Sequence, residues 1–175
     1  RGYLTRVTDK YLFKGEYNPQ EVLAKLSTTL ASALDIREAS QALVVTLKGE
    51  MRLTRAALIT FTTEDSKSVV KEVIQDGYSD PSLLQLPETS PLLNQVVQYP
   101  ELINSDTLRL QAQSRSLTDP ALVSYNALLQ DIDRLGVSVV LPMVVNGKAI
   151  GLFLVGPKLS GDYYSRNEIQ FLNIA

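Results

Sequence analysis

The residues best suited to binding chemistry in this chain lie between positions 103 and 125. Ile103-Asn104-Ser105-Asp106-Thr107 runs an apolar strand end straight into four hydrogen-bonding side chains. Asn104, Ser105 and Asp106 offer the donors and acceptors that fix a polar ligand. The same run also fits an Asx turn or a helix cap, with Asp106 capping a short helix through Leu110. Arg109 and Arg115 can face an anionic ligand as bidentate donors, or stand as scattered surface cations. Tyr125 falls on an apolar helical stripe. There it either roofs a pocket with its hydroxyl inward or packs in the core with the hydroxyl at the rim.

Other motifs read as structure. Gly156-Pro-Lys-Leu-Ser-Gly161 has the glycine spacing of a phosphate-cradling loop. Asp162-Tyr163 stands where Lys-Ser/Thr would hold phosphate and magnesium, so a strand-to-helix loop is expected. Asp131 and Asp133, two residues apart on a helix, face different sides and read as a solvated helix face. Glu64-Asp65 reads as turn punctuation. The sequence contains no Cys and no His. This removes disulfides, thiolate metal sites, thiol catalysis, the commonest metal ligand and the commonest general base. No Ser has a His base, so no hydrolytic triad of that kind can be assembled. Catalysis by carboxylate or Lys would need perturbed groups converging in a cleft, and the sequence shows no such convergence.

The elements that position these residues can be read from local signals. The 175 residues are 45% hydrophobic and 21% charged, with net charge -2, the profile of one ordinary globular domain. Area scaling lets such a chain bury about 70% of its surface. The acidic balance argues against nucleic acid as the main partner, and no apolar run reaches the ~20 residues of a membrane span. Tyr3, Leu4, Val7, Tyr11 and Leu12 form a short helical stripe that stops before Asn18-Pro19. That pair, with Glu21, signals the start of a long helix. Leu23, Leu26, Leu30 and Leu34 carry its stripe, apolar content continues to Leu53, and Asp35 marks a kink or a second cap. Ala56 to Thr62 and Val69 to Gln75 read as a hairpin. Pro81, Pro87, Pro91 and Pro100 punctuate an irregular middle with one short helix, Leu92 to Gln98, and one extended segment, Leu102 to Asn104. Asp119-Pro120 opens a second long helix that closes at Gly136. Val137 to Val145 and Lys148 to Val155 are joined by Asn146-Gly147, both of which tolerate positive φ, so they form a hairpin. Ser165 and Glu168 make a capping box for a last helix whose stripe the chain end cuts, as in a piece of something longer. Helices before and after hairpins specify an α+β fold with an antiparallel sheet.

The tail from Gly147 to Leu172, with Leu141-Pro142 and the Asn-Gly turn upstream, resembles the end of a GAF domain, and the element order agrees from about Asn18 onward. The lead-in Thr8 to Leu23 is similar to the segment joining a membrane region to a GAF domain in some bacterial sensor histidine kinases. The resemblance implies a GAF-like (PAS/GAF type) central antiparallel sheet of about six strands. Its N- and C-terminal helices would lie on one face and a small-molecule pocket on the other. It divides the chain into a lead-in at residues 1–17 and a sensory domain at 18–175, and it implies a homodimer formed through the terminal helices. In the resembled family the Asn104–Asp106 segment borders the pocket, which makes Asn104, Ser105, Asp106, Arg109 and Tyr125 the ligand-binding candidates.

Several chemistries of that family are excluded by composition. Covalent bilin attachment and methionine sulfoxide reduction need Cys, and haem needs an axial His. No cofactor is therefore expected. Of the residues typical of cyclic-nucleotide binders only Lys158 is retained. Pro157 stands where Asn would, Tyr164 replaces Phe, and Glu168-Ile169 replaces Asp-Glu. The resulting expectation is a non-catalytic sensory domain of a cytoplasmic signalling protein, a sensor histidine kinase anchored at the inner membrane by regions outside this sequence. It would bind an unknown small molecule. The alternative is a ligand-free dimerisation spacer of the same fold. The hairpin assignment has an immediate test: replacing Gly147 with Val lowers thermal stability, because a β-branched residue resists positive φ. An unchanged melting temperature would contradict the turn.

Overall fold

A computed structural model describes residues 18–31 and 36–174. The expected lead-in helix at Tyr3 to Leu12, together with Leu34 and Asp35, lies outside the described residues. Helix α1 spans Pro19–Ala31 and α2 spans Ile36–Glu50. The hairpin β1 (Ala56–Glu64) and β2 (Lys67–Asp76) follows, then a 3-10 turn at Pro81–Leu84, α3 (Pro91–Gln98) and β3 (Ile103–Asn104). Helices α4 (Ser105–Gln113) and α5 (Ala121–Leu135), the hairpin β4 (Val139–Val145) and β5 (Lys148–Val155), and α6 (Arg166–Ile174) complete the order.

Local signals explain most boundaries. The Asn18 side chain accepts from the Gln20 amide at 3.0 Å and starts α1. The apolar run to Leu53, with Asp35 read as a kink or a second cap, forms two helices packed on one another. The buried face of α1 is carried by Val22 and Leu26, while Leu23, expected on the stripe, is 39% exposed. Asp119 accepts from the Ala121 amide at 2.9 Å, which starts α5 as Asp119-Pro120 signals, and Gly136 ends it at φ 63°. Asn146 and Gly147 have φ of 52° and 77°, the geometry required of the β4–β5 turn. Asp65 and Ser66 make the β1–β2 turn in the same way, at 50° and 66°.

The strands form one antiparallel sheet in the order β2-β1-β5-β4-β3. About six strands were expected and five are present among the described residues. The proline-punctuated middle forms a 3-10 turn and α3, and the only extended piece before α4 is the two-residue β3. Ala56 to Ile59 of β1 and Leu152 to Val155 of β5 are buried on both faces of the sheet. Alternation divides them cleanly. Ala57, Ile59, Leu152 and Leu154 pack with α3, α4 and α5, whereas Ala56, Leu58, Phe153 and Val155 pack with α1, α2 and α6. Two bulges keep the alternation in phase. One lets Val73 and Val70, three residues apart, oppose Ile59 and Phe61 and join the same core; the other falls between Met143 and Val144.

Two polar anchors fix α5. At its C-terminus the Tyr78 hydroxyl donates to the Leu135 carbonyl at 2.8 Å and Arg55 donates to the Gly136 carbonyl at 2.9 Å, satisfying acceptors that the helix leaves open. On its flank Asp131 accepts from the Ser90 hydroxyl at 2.6 Å, the Leu92 amide at 3.2 Å and Arg134 at 2.6 Å. Asp131 was read from the sequence as solvated, yet it is 7% exposed. Its partners Ser90 and Leu92 at the N-terminus of α3 are far away in sequence and gave no local signal. Asp133, two residues on, faces outward as expected and pairs with Arg109.

Each anchor makes a prediction. Burial pushes the Tyr78 hydroxyl up to about 12, opposed by the nearby Arg55 charge. The folded state therefore keeps a proton that the unfolded chain loses near pH 10. The Tyr78 contribution is full below pH 10 and declines as pH rises toward 12, by about 1.4 kcal/mol per pH unit. Urea titrations at pH 9 and 11.5 should show a steeper loss in the natural chain than in Tyr78→Phe; equal slopes would contradict the assignment. Asp131→Ala leaves the buried Ser90 hydroxyl and Leu92 amide without their acceptor and should cost about 2–5 kcal/mol. Asp133→Ala removes only an exposed pair and should cost no more than about 1 kcal/mol, read by the same denaturation midpoints.

Candidate functional site

The candidate site is a cleft of about 610 Å³ at the β3 edge of the sheet. The middle of the face covered by α3, α4 and α5 is filled, since Leu92, Leu93, Val96 and Ile132 are at most 1% exposed. The cleft opens where the sheet ends. Because β3 is two residues long, the chain from Tyr99 to Asn104 lines the cleft as an irregular edge, from which only Pro100 is missing. Gln95 enters from α3, and Thr107, Leu108 and Gln111 enter from α4. Ala121, Ser124, Tyr125 and Leu128 form the α5 wall, and Ile169 of α6 closes the far side. Ile169 packs with the core on the other face of the sheet, so the cleft wraps around the sheet edge and touches both helical layers.

Of the five residues singled out from the sequence, Asn104 and Tyr125 line the cleft; Ser105, Asp106 and Arg109 do not. Asn104 is the last strand residue, with extended φ and ψ of -104° and 119°, and its side chain accepts from the Asp106 amide at 3.0 Å. It is thus the cap of α4. The sequence alternative placed that cap on Asp106 and ended the helix at Leu110; the structure moves both, because the half-extended residue after the β3–β4 pairing is Asn104 and the helix runs to Gln113. Ser105 is buried at 5% exposure, and its amide donates to the Ser138 carbonyl at 2.8 Å.

Both arginines are held by carboxylates. Arg109 makes a two-pronged pair with Asp133, at 3.2 and 2.8 Å. That hydrogen bonding holds the Asp133 carboxyl below the usual carboxylate range and raises the guanidinium. Arg115 donates to Asp119 at 2.9 Å and to the Tyr125 hydroxyl at 3.0 Å, with its guanidinium carbon 4.5 Å from the Tyr125 ring centre. The Ala121 amide and then Arg115 keep Asp119 below its ordinary value. Tyr125 is therefore set in place from behind by Arg115 while bordering the cleft. Sequence reasoning named both residues but not their contact.

The loop after β5 does other work. Lys158, 7% exposed, pairs with Glu168 at 2.5 Å and lies 5.4 Å from the Tyr164 ring centre. Glu168 also accepts from the Ser165 amide at 2.9 Å, and its own amide donates to Ser165 Oγ at 3.2 Å, which is the capping box read from the sequence. The Tyr164 hydroxyl donates to the Gly156 carbonyl at 2.6 Å. The Gly156–Gly161 segment is thus a strand-to-helix connection whose lysine is committed to the start of α6. Among the described residues no group of three or more acidic side chains gathers as a metal site.

No protein-family model and no curated protein matches the chain. Solved structures do match by shape. The GAF domain of a phosphoenolpyruvate-protein phosphotransferase from Coxiella burnetii is 16% identical, with TM-score 0.58, covering 90% of this chain and 87% of its own. A phycoerythrobilin-bound GAF domain from a cyanobacterial phytochrome is 14% identical, with TM-score 0.56 and coverages of 91% and 90%. Residues 122 to 287 of a methyl-accepting chemotaxis protein are 16% identical, with TM-score 0.54 and coverages of 85% and 88%. A two-faced antiparallel sheet with its first and last helices on one side, matched over nearly the whole chain by these domains, gives this protein the GAF fold.

Proposed function

We propose that this chain is a non-catalytic sensory domain of a signalling protein, binding a small molecule in the β3-edge cleft and passing the change to α6. The observation that carries this reading is Ile169, which places the last helix in the wall of the cleft. A ligand seated there touches α6 directly, so any difference in contact between two α6 positions becomes a shift in their populations. The fold of similar structures from chemotaxis and phytochrome proteins supports a regulatory setting. No helix among the described residues is long and apolar enough to cross a membrane; in this reading the domain is cytoplasmic and its parent's anchor lies outside this sequence. The parent is a sensor histidine kinase, and no cofactor or nucleic acid takes part in sensing.

The homodimer of this reading forms through α1 and α6. Leu23, exposed at 39% on the flank beside the buried Val22 and Leu26, supplies apolar surface on α1. The ligand-free spacer remains the second reading, favoured by the filled centre of the α3–α5 face. Native mass spectrometry of the purified chain, before and after denaturation, separates the two. A small molecule released on unfolding, and a higher melting temperature when it is returned, is the expected result. A clean mass, with no compound raising the melting temperature in a metabolite screen, would favour the spacer.

A further inference from the structure

The charges around the cleft carry an inference about its ligand. Among the described residues that line it, Glu101 is the only one with a charged side chain; the polar remainder is amide, hydroxyl and phenol. Arg109 and Arg115, at and just beyond α4, are already committed, Arg109 to Asp133 and Arg115 to Asp119 and the Tyr125 hydroxyl, and neither they nor Arg166, three residues before Ile169, line the cleft. An anion placed here would meet a carboxylate with no counter-charge, and it would lose hydration without recovering it. A cation gains on both counts.

The edge segment supplies a second feature. Tyr99 and Glu101 both line the cleft, with Pro100 between them, and the Glu101 amide donates to the Tyr99 carbonyl at 2.8 Å in a tight local turn. A phenol and a carboxylate two residues apart thus both border the cleft. Ring plus carboxylate is the pairing that recognises an ammonium group, the ring through its negative face and the carboxylate through charge and hydrogen bonds. Behind them Leu102, Leu128 and Ile169 provide an apolar lining for the body of such a molecule. The volume of about 610 Å³ falls in the range of small-molecule sites.

We infer that the cleft takes an organic ammonium ion, a primary or methylated amine carrying an aromatic or aliphatic body, with the charge held between Tyr99 and Glu101. The inference rests on the cleft being a small-molecule site, and the test separates the two statements. Two matched series share a ring and differ in charge: phenethylamine, 2-phenylethanol and phenylacetate, and tryptamine, tryptophol and indole-3-acetate. Each is titrated into the isotopically labelled protein, following the backbone amides of Thr107, Ser124 and Tyr125.

The amines should bind most tightly and the carboxylates least. Glu101→Gln, an exposed position that no buried contact depends on, should weaken the amines roughly threefold to tenfold and leave the alcohols unchanged. Carboxylates or alcohols binding as well as amines, or amines indifferent to Glu101→Gln, would overturn the ammonium assignment and leave the cleft as a ligand site. If none of the six moves these resonances, the cleft reading falls as well.

Discussion

The structure depends on the antiparallel pairing of β1 with β5. Ala56 to Thr60 oppose Val155 to Gly151, and most of the residues along that seam are shut off from water on whichever side they point. A sheet whose central strands are apolar on both faces must be covered twice, and burying each Leu, Ile or Phe along it is worth about 1.5–3 kcal/mol. Two helical layers follow from this requirement. Helices α1, α2 and α6 lie on one face and α3, α4 and α5 on the other, and the chain changes layer through the sheet itself, by way of β1 and β2 and again by way of β4 and β5. The cleft of about 610 Å³ arises at the β3 edge, where the sheet is too short to keep the layers apart.

What could be read from the sequence, and what could not, divides by distance along the chain. Asn146-Gly147, Asn18-Pro19, Gly136 and the Ser165–Glu168 box are decided by backbone geometry within four residues, and each stands where the residue types place it. Asp131 is the counter-case. Its residue type and helical position say solvated face, but the amide and hydroxyl that donate to it come from the N-terminus of α3, some forty residues away. The split of the first long helix into two packed helices was marked only by an ambiguous Asp35. Of the stripe, Leu26 is buried as read, while Leu23 yields its place to Val22.

The site shows the same division. Asn104 and Tyr125 were legible because strand end and apolar stripe are local patterns. The carboxylate of Glu101 and the phenol of Tyr99 were not, since nothing nearby distinguishes them from loop residues flanking a proline. The fate of the arginines was hidden too, because Arg109 finds its carboxylate 24 residues on, in a different helix. That pairing changes the character of the cleft. A surface that reads from the sequence as ready for an anion has its cations neutralised before any ligand arrives.

The Lys158–Glu168 pair also limits how this protein can evolve. Both side chains are buried, so each is the other's main source of charge compensation, and the glutamate caps the helix that follows. Removing either one alone strands a charge in the interior, whereas replacing both together with apolar groups of similar volume is often neutral in such settings. Single substitutions from this state are therefore steep steps downhill, and descendants should either keep both residues or change them together. The start of α6 is tied to the end of β5 by a contact that mutation has difficulty dismantling one residue at a time.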